Sequence, residues 1–211
     1  MPGKVIIYPM ILFLRVEKTK EPGLMCPGNN GEVVMMDKLI LINPTEAYAR
    51  QVMACREEML RNGEGFDGCA GLEDVRTFDE WIDFEGRLKA KYKEKYVPSE
   101  VFLGVRQGDD MVVGIIDFRH PLSDFLFRFG GNIGYSIRPS QRRKGYASEM
   151  LRLILPICRS FGENKVLVTC DKENEASRRT IIKNGGVLEN EVTDTTGQDE
   201  NQIIQRYWIS V

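Results

Sequence analysis

Apolar positions recur along the chain with two distinct periods, and the changes between them mark the elements. The run "KLILI" at 38–42 predicts a first strand. "NPTE" follows as a helix start, with Asn43 as N-cap, Pro44 in the first helical position and Glu46 closing a capping box. Tyr48, Val52, Cys55 and Met59 then recur at helical spacing, so one face is expected to be buried. "NGEGFDGCAG" at 62–71 stops that helix with four glycines. A second helix is predicted from Thr77, with Glu80 three residues on and Trp81, Glu85, Leu88 and Tyr92 along one side. Its basic end (Arg87, Lys89, Lys91, Lys93, Lys95) reads as a solvated terminus suited to the helix dipole rather than as a binding patch.

The middle of the chain is strand-rich. "VFLGV" (101–105) and "MVVGIIDF" (111–118) flank the turn sequence "QGDD" and predict a hairpin. "NIGYSI" (132–137) is a further strand. A helix is expected over 144–161 with Ala147, Met150, Leu151, Ile154 and Leu155 inward and a kink at Pro156. "KVLVTC" (165–170) reads as a buried strand, 175–184 as a short helix ending at Gly185-Gly186, and "VLENEV" and "QIIQRYWIS" as the last strands. Hairpins in the middle and alternating strands and helices in the second half imply an α/β (α+β) layer fold with a mixed sheet, not a doubly wound one.

The N-terminal end differs. "VIIYPMILFL" at 5–14 is too short to span a bilayer, which needs about 20 residues. Lys4 precedes it, but no small-x-small cleavage site follows. "KTKEPGLMCPGNNGE" has no period and reads as a loop or disordered arm. A GAG codon at Glu32 would make Glu32-Val33 a ribosome-binding sequence just ahead of Met35 and Met36. Residues 1–34 are therefore expected to be upstream leader, which divides the chain into an N-terminal extension (1–35) and one domain (36–211).

Composition narrows the chemistry. The chain has 42% hydrophobic and 28% charged residues and a net charge of −2, which argues against a general nucleic-acid binder. Five scattered cysteines form no close pair, as expected of free thiols in a reducing cytoplasm. His120 is the sole histidine, so no multi-histidine metal site is expected. Any electrostatic function must be local.

That local charge is "RPSQRRKGYASEML" at 138–151. Arg142, Arg143 and Lys144 sit where a strand has ended and a helix begins, and Gly145 breaks the cluster. Such a junction combines unpaired backbone N–H groups, the positive end of the helix dipole and side-chain cations. It suits a phosphate or diphosphate. Gly145 allows close backbone approach, and small Ala147 keeps the first turn open.

Arg142 to Ala147 resembles the R/Q-x-x-G-x-G/A signature of the GNAT superfamily of acyl-CoA-dependent N-acyltransferases. "IGYSIRPSQRRKGYASEML" is similar to that family's fourth strand, pyrophosphate loop and third helix in order. "TCDKENEASRRTIIKNGGV" resembles its fifth strand and fourth helix, with Asn174 and Ser177 at the family spacing. The resemblance covers roughly 38–211 and is nearest to a bacterial subgroup of predicted acetyltransferases. It implies a mostly antiparallel central sheet with splayed central strands, and acetyl-CoA as co-substrate with no metal. It further implies that backbone amides of Lys144, Gly145, Tyr146, Ala147 and Ser148 grip the diphosphate, with Arg142 and Arg143 supplying charge. Ile137 would bond the pantetheine arm or acetyl carbonyl through its backbone, Asn174 would hold pantetheine, and Ser177 would lie near the thiol. An N-cap role for Asn174 remains open beside this.

Many members of that family carry a tyrosine seven residues after the asparagine, where this chain has Ile181. The departure keeps a second reading in view, a non-catalytic acyl-CoA-binding or sensing domain. Proton-transfer candidates are Asp117 and His120 in "IIDFRHPL" as bases, each with a structural alternative, and Tyr135 as an acid or a packing residue. Cys170 as a covalent acyl carrier is a minor alternative. A lysine-type acceptor is only about one part in 2,500 neutral at pH 7, a deficit of about 4.6 kcal/mol, and so demands a base or desolvation. The acidic stretch "ENEVTDTTGQDE" (189–200) would border a slot for a cationic amine or form a solvated loop. The expected acceptor is a small-molecule or peptide amine, with no nucleic acid or membrane partner, and a homodimer is left open.

Overall fold

The computed structural model describes residues 25–27, 33–35, 38–90, 97–195 and 202–211. The chain divides into two compact units, Met1–Met36 and Asp37–Val211. In the first, β1 (Met25–Pro27) pairs antiparallel with β2 (Val33–Met35), Cys26 opposite Val34. The arm expected to lack structure thus contains a strand, too short for periodicity to reveal. The rest of the expected leader lies outside the described residues.

The second unit is a seven-stranded sheet in the order β3-β4-β5-β6-β7-β9-β8. Its strands are β3 (Leu39–Ile42), β4 (Ser99–Arg106), β5 (Met111–Arg119), β6 (Ile133–Ile137), β7 (Lys165–Asp171), β8 (Val187–Asp194) and β9 (Gln202–Ser210). Every pairing is antiparallel except β6 with β7. This is the mixed α/β sheet expected from the alternation of hairpins and helices.

Helices cover both faces, and alternation along the strands decides which residue meets which helix. Val101, Leu103 and Val105 of β4 and Val112 and Ile115 of β5 pack with Val52, Cys55 and Met59 of α1 (Ala49–Arg61) and Trp81 of α2 (Phe78–Ala90). Phe102, Val113, Ile116 and Phe118 turn the other way. They meet Met150, Leu151, Ile154 and Cys158 of α3 (Tyr146–Ser160) in a core that includes Ile181 of α4 (Glu175–Lys183). Ala147 and Leu155, expected inward, are half-buried, and α3 runs on through the exposed Pro156.

Two helix starts behave differently. Thr77 caps α2 through its hydroxyl, which accepts from Glu80 N at 3.2 Å, as its spacing predicts. The capping box at Asn43 does not form. A 3-10 turn, Glu46–Tyr48, follows Thr45 and delays α1 to Ala49. Tertiary ties explain the delay: Tyr48 donates to Asp110 Oδ1 at 2.6 Å, and Gln51 bridges Asp110 O and Val112 N. The first turn is shaped by the β4–β5 hairpin rather than by its own cap. The basic end of α2 expected at 87–95 lies outside the described side chains.

Candidate active site

The site begins where the sheet comes apart. β6 and β7 pair only at Ile133 opposite Val168. Asn132 forms the clip at that point. Its N–H donates to Leu167 O at 2.6 Å, its side-chain carbonyl accepts from Leu167 N at 2.8 Å, and its amide donates to Arg119 O at 3.0 Å. Beyond the clip the strands are unpaired, and a groove of about 770 Å³ opens between Tyr135–Ile137 and Thr169–Asp171.

The cationic loop lies on this groove. Arg142, Arg143, Gly145, Tyr146, Ala147 and Ser148 all line it, whereas Lys144 turns its side chain to Gln141 Oε1 at 2.9 Å. Gly145 is the N-cap of α3 with φ +82°, a conformation that an L side chain resists. The first i to i−4 bond from that cap runs from Glu149 N to Gly145 O. The amides of Tyr146, Ala147 and Ser148 therefore have no intrahelical acceptor and present the positive helix end. Arg142 is folded back, donating Nε to Ile137 O at 3.2 Å and pairing with Glu64 at 2.5 Å. Arg138 is anchored to Glu58 of α1 at 2.6 Å, which fixes the approach to the loop.

The opposite wall comes from β7 and α4. Asn174 lines the groove and also caps α4, its Oδ1 accepting from Ser177 N at 3.0 Å. Ser177 Oγ lies 2.8 Å from the Tyr135 hydroxyl, which crosses the groove from β6. Burial pushes the Tyr135 hydroxyl up to about 12, with hydrogen bonds to Ser177 and Thr180 opposing the rise. It is therefore neutral, a proton donor, throughout the physiological range. Cys170 lines the same stretch, and burial lifts its thiol to about 11, which leaves little thiolate for covalent chemistry. Ile181 is fully buried in the core.

Asp117 and His120 occupy other surroundings. Asp117 Oδ2 accepts from Arg119 Nε at 2.8 Å and Oδ1 from Gly134 N at 3.0 Å, so both oxygens are committed to holding β5, β6 and Arg119 together. His120 lines neither this groove nor the second cavity described next. It stacks on Phe118 with ring centroids 4.7 Å apart, and burial lowers its pKa.

A second cavity of about 350 Å³ adjoins the groove and shares Asp67 and Arg119 with it. Its walls come from the loop and 3-10 turn at 66–74, the helical turn at 125–126, Phe84 of α2 and the ends of β4 and β5. Neither Asp67 nor Asn132 stands out in the sequence. Asp67 is placed by the close approach of Gly68 to Gly134, a contact between distant segments that no local pattern announces. A Cβ on Gly68 would run into the Gly134 carbonyl. The acidic stretch 189–200 is partly described, with Glu189 paired to Arg206 and Glu191 to Lys172. Residues 196–200 lie outside the described residues. Among the described residues no group of three His, Cys, Asp or Glu is placed to hold a metal, and no helix is long and apolar enough to cross a membrane.

A phosphate-ready helix start at the edge of a slot between parted strands defines an acyl-coenzyme A transferase fold. The chain matches the model of the acetyltransferase (GNAT) domain over residues 38–187 and belongs to that family; it is an acyltransferase. It is 29% identical over 157 residues to the uncharacterized N-acetyltransferase YoaA of Bacillus subtilis (strain 168), covering 72% of this chain and 81% of that protein. The microcin C7 self-immunity acetyltransferase MccE, solved with acetyl-CoA and AMP, superposes with a TM-score of 0.60 at 16% identity, over 83% of this chain and 93% of that one. A chimera of the Vibrio cholerae spermidine N-acetyltransferase SpeG and hSSAT superposes with a TM-score of 0.58 at 14% identity, over 82% and 94%. These two likenesses speak for the fold.

Proposed function

We propose that the enzyme transfers the acetyl group of acetyl-CoA to a primary amine by direct attack within a ternary complex. The observation that carries this reading is a single groove with the unpaired N–H groups of α3 at one wall and the Tyr135–Ser177 pair at the other. In it the amides of Lys144 to Ser148 bind the coenzyme diphosphate, with Arg142 and Arg143 neutralising its charge. Swinging Arg142 toward phosphate frees the Ile137 carbonyl for the pantetheine arm. Asn174 and Ser177 flank that arm from the α4 side.

Tyr135 serves as the acid that protonates the departing sulfur. Its hydroxyl meets the groove-facing side of α4 from across the slot and supplies the proton donor that Ile181 does not. This same observation weighs against the sensor reading, which rested on the missing tyrosine. The neutral amine attacks the thioester carbonyl without an enzyme-bound acyl intermediate, in keeping with the raised thiol of Cys170. The acceptor is a small-molecule or peptide amine, and spermidine, a substrate class named for the SpeG enzyme, is the first to try.

Thermal melting with acetyl-CoA, ATP or inorganic phosphate tests the donor. Acetyl-CoA is expected to raise the melting temperature well above the other two, and equal shifts would overturn the assignment. Thiol release across spermidine, aminoglycosides, amino acids and peptides then tests transfer. Tight acetyl-CoA binding with no turnover on any amine would favour a sensor.

A further inference from the structure

Resting on that reading, the geometry points to Asp67 as the carboxylate that takes the proton from the attacking amine, with the second cavity as the entrance for a cationic acceptor. Asp67 stands at the junction, lining both the groove and the second cavity. Its place is fixed from the donor strand. Ser136 Oγ donates to Asp67 O at 2.8 Å, and Gly68 lies directly against Gly134 of β6. Asp67 is thereby held against the stretch of β6 that carries Tyr135, whose hydroxyl feels its charge.

Asp117, which lines the second cavity, has both oxygens engaged. Burial pushes the Asp67 pKa up, opposed by Arg119 and reinforced by Asp117. It is therefore a stronger base than a solvated aspartate. The groups facing it are Arg119 and Asp117 from β5, Tyr135 from β6 and Glu73 with Asp74 from the turn beyond the loop. Among the residues lining the second cavity, the cation Arg119 is already paired with Asp117, so Asp67, Glu73 and Asp74 leave it with a negative balance. Phe66, Phe84 and Phe125 supply aromatic walls. An ammonium group on an aliphatic stem matches both features.

The acceptor enters as R–NH₃⁺. One proton passes from nitrogen to an Asp67 carboxylate oxygen and on to solvent. The freed lone pair forms the C–N bond at the thioester carbonyl carbon, and the C–S bond breaks with its electron pair on sulfur. Sulfur takes the Tyr135 proton, and the second proton lost by nitrogen restores it. Amide, free thiol and one solvent proton are the products.

The test uses the full chain with acetyl-CoA at saturation and spermidine or n-butylamine as acceptor. Asp67→Asn is expected to keep acetyl-CoA affinity and to lose about 100-fold in kcat/KM for the amine, the usual scale of a proton-transfer residue. Its rate should climb tenfold per pH unit toward the amine pKa, whereas the wild type levels off once Asp67 is ionised. Asp67→Glu should recover part of the loss. Unchanged kcat/KM and pH profile in Asp67→Asn would overturn the inference. So would an enzyme that binds acetyl-CoA but releases thiol with neither amine. Failure of the wild type to bind acetyl-CoA would instead overturn the donor reading.

Discussion

The groove and the second cavity meet at Asp67 and Arg119, yet they are made of different material. The groove is cut from regular elements, two parted strands and two helix starts, and its chemistry lies largely in backbone groups. The second cavity is walled mainly by a loop and short helical turns, and its chemistry lies in side chains. Backbone chemistry suits a co-substrate that never changes, while side chains can be exchanged without disturbing the fold. If the groove holds the co-substrate and the second cavity the acceptor, as proposed, the donor half constrains the chain and the acceptor half is free to vary.

The comparison is broken most severely at Gly145. Gly145→Val places a β-branched side chain at φ +82° and over the α3 amides. Acetyl-CoA affinity measured by calorimetry should fall about 100-fold or more, the scale of losing preorganised donors. Stability should drop by only about 1–2 kcal/mol from the left-handed backbone. Tyr135→Phe should leave acetyl-CoA affinity nearly intact while lowering kcat about 100-fold, as expected of a general acid.

Asp117→Ala probes the seam shared by both halves. It strands the largely buried Arg119 guanidinium and should cost about 3 kcal/mol in urea unfolding. Glu58→Gln is gentler. Burial alone would raise the Glu58 pKa, but hydrogen bonds from Arg138 and Ser140 outweigh it and hold the carboxyl below its usual value. Its stabilisation is therefore complete above the unfolded pKa and fades as pH falls through the lower folded one. The variant should lose about 1 kcal/mol at neutral pH and show a flatter acid limb in thermal melts.

The same contrast governs what the sequence discloses. Val52, Cys55 and Met59 on α1 announce themselves by spacing, as do the alternating residues of β4 and β5, because a buried face imposes a period. The loop at 142–148 is legible because a glycine among cations at a helix start is the pattern suited to an anion. Asp67 has no such signature, since nothing periodic surrounds it and its position depends on a contact between residues 68 and 134. Asn132 reads as an ordinary strand residue, although its side chain replaces strand pairing to β7. Asn43 fails as a cap because Asp110, distant in sequence, sets the geometry of that turn. Ile181 shows where the family's tyrosine is missing, but only the 2.8 Å contact between Tyr135 and Ser177 brings out the hydroxyl proposed in its place.

The clip at Asn132 has a consequence for the exchange of backbone amides along the groove. Arg119 N donates to Asn132 O and Arg138 N to Val113 O, so the even-numbered residues of β6 turn their peptide groups toward β5. The peptide groups of Tyr135 and Ile137 then face the opening, where Arg142 takes the Ile137 carbonyl and the rest are left to water. Two interior strands thus behave as edge strands over part of their length, inside a sheet protected on either side. Amide hydrogens at those positions should exchange with solvent far faster than those of β5, and an extended ligand carrying its own amides would slow them as a temporary eighth strand.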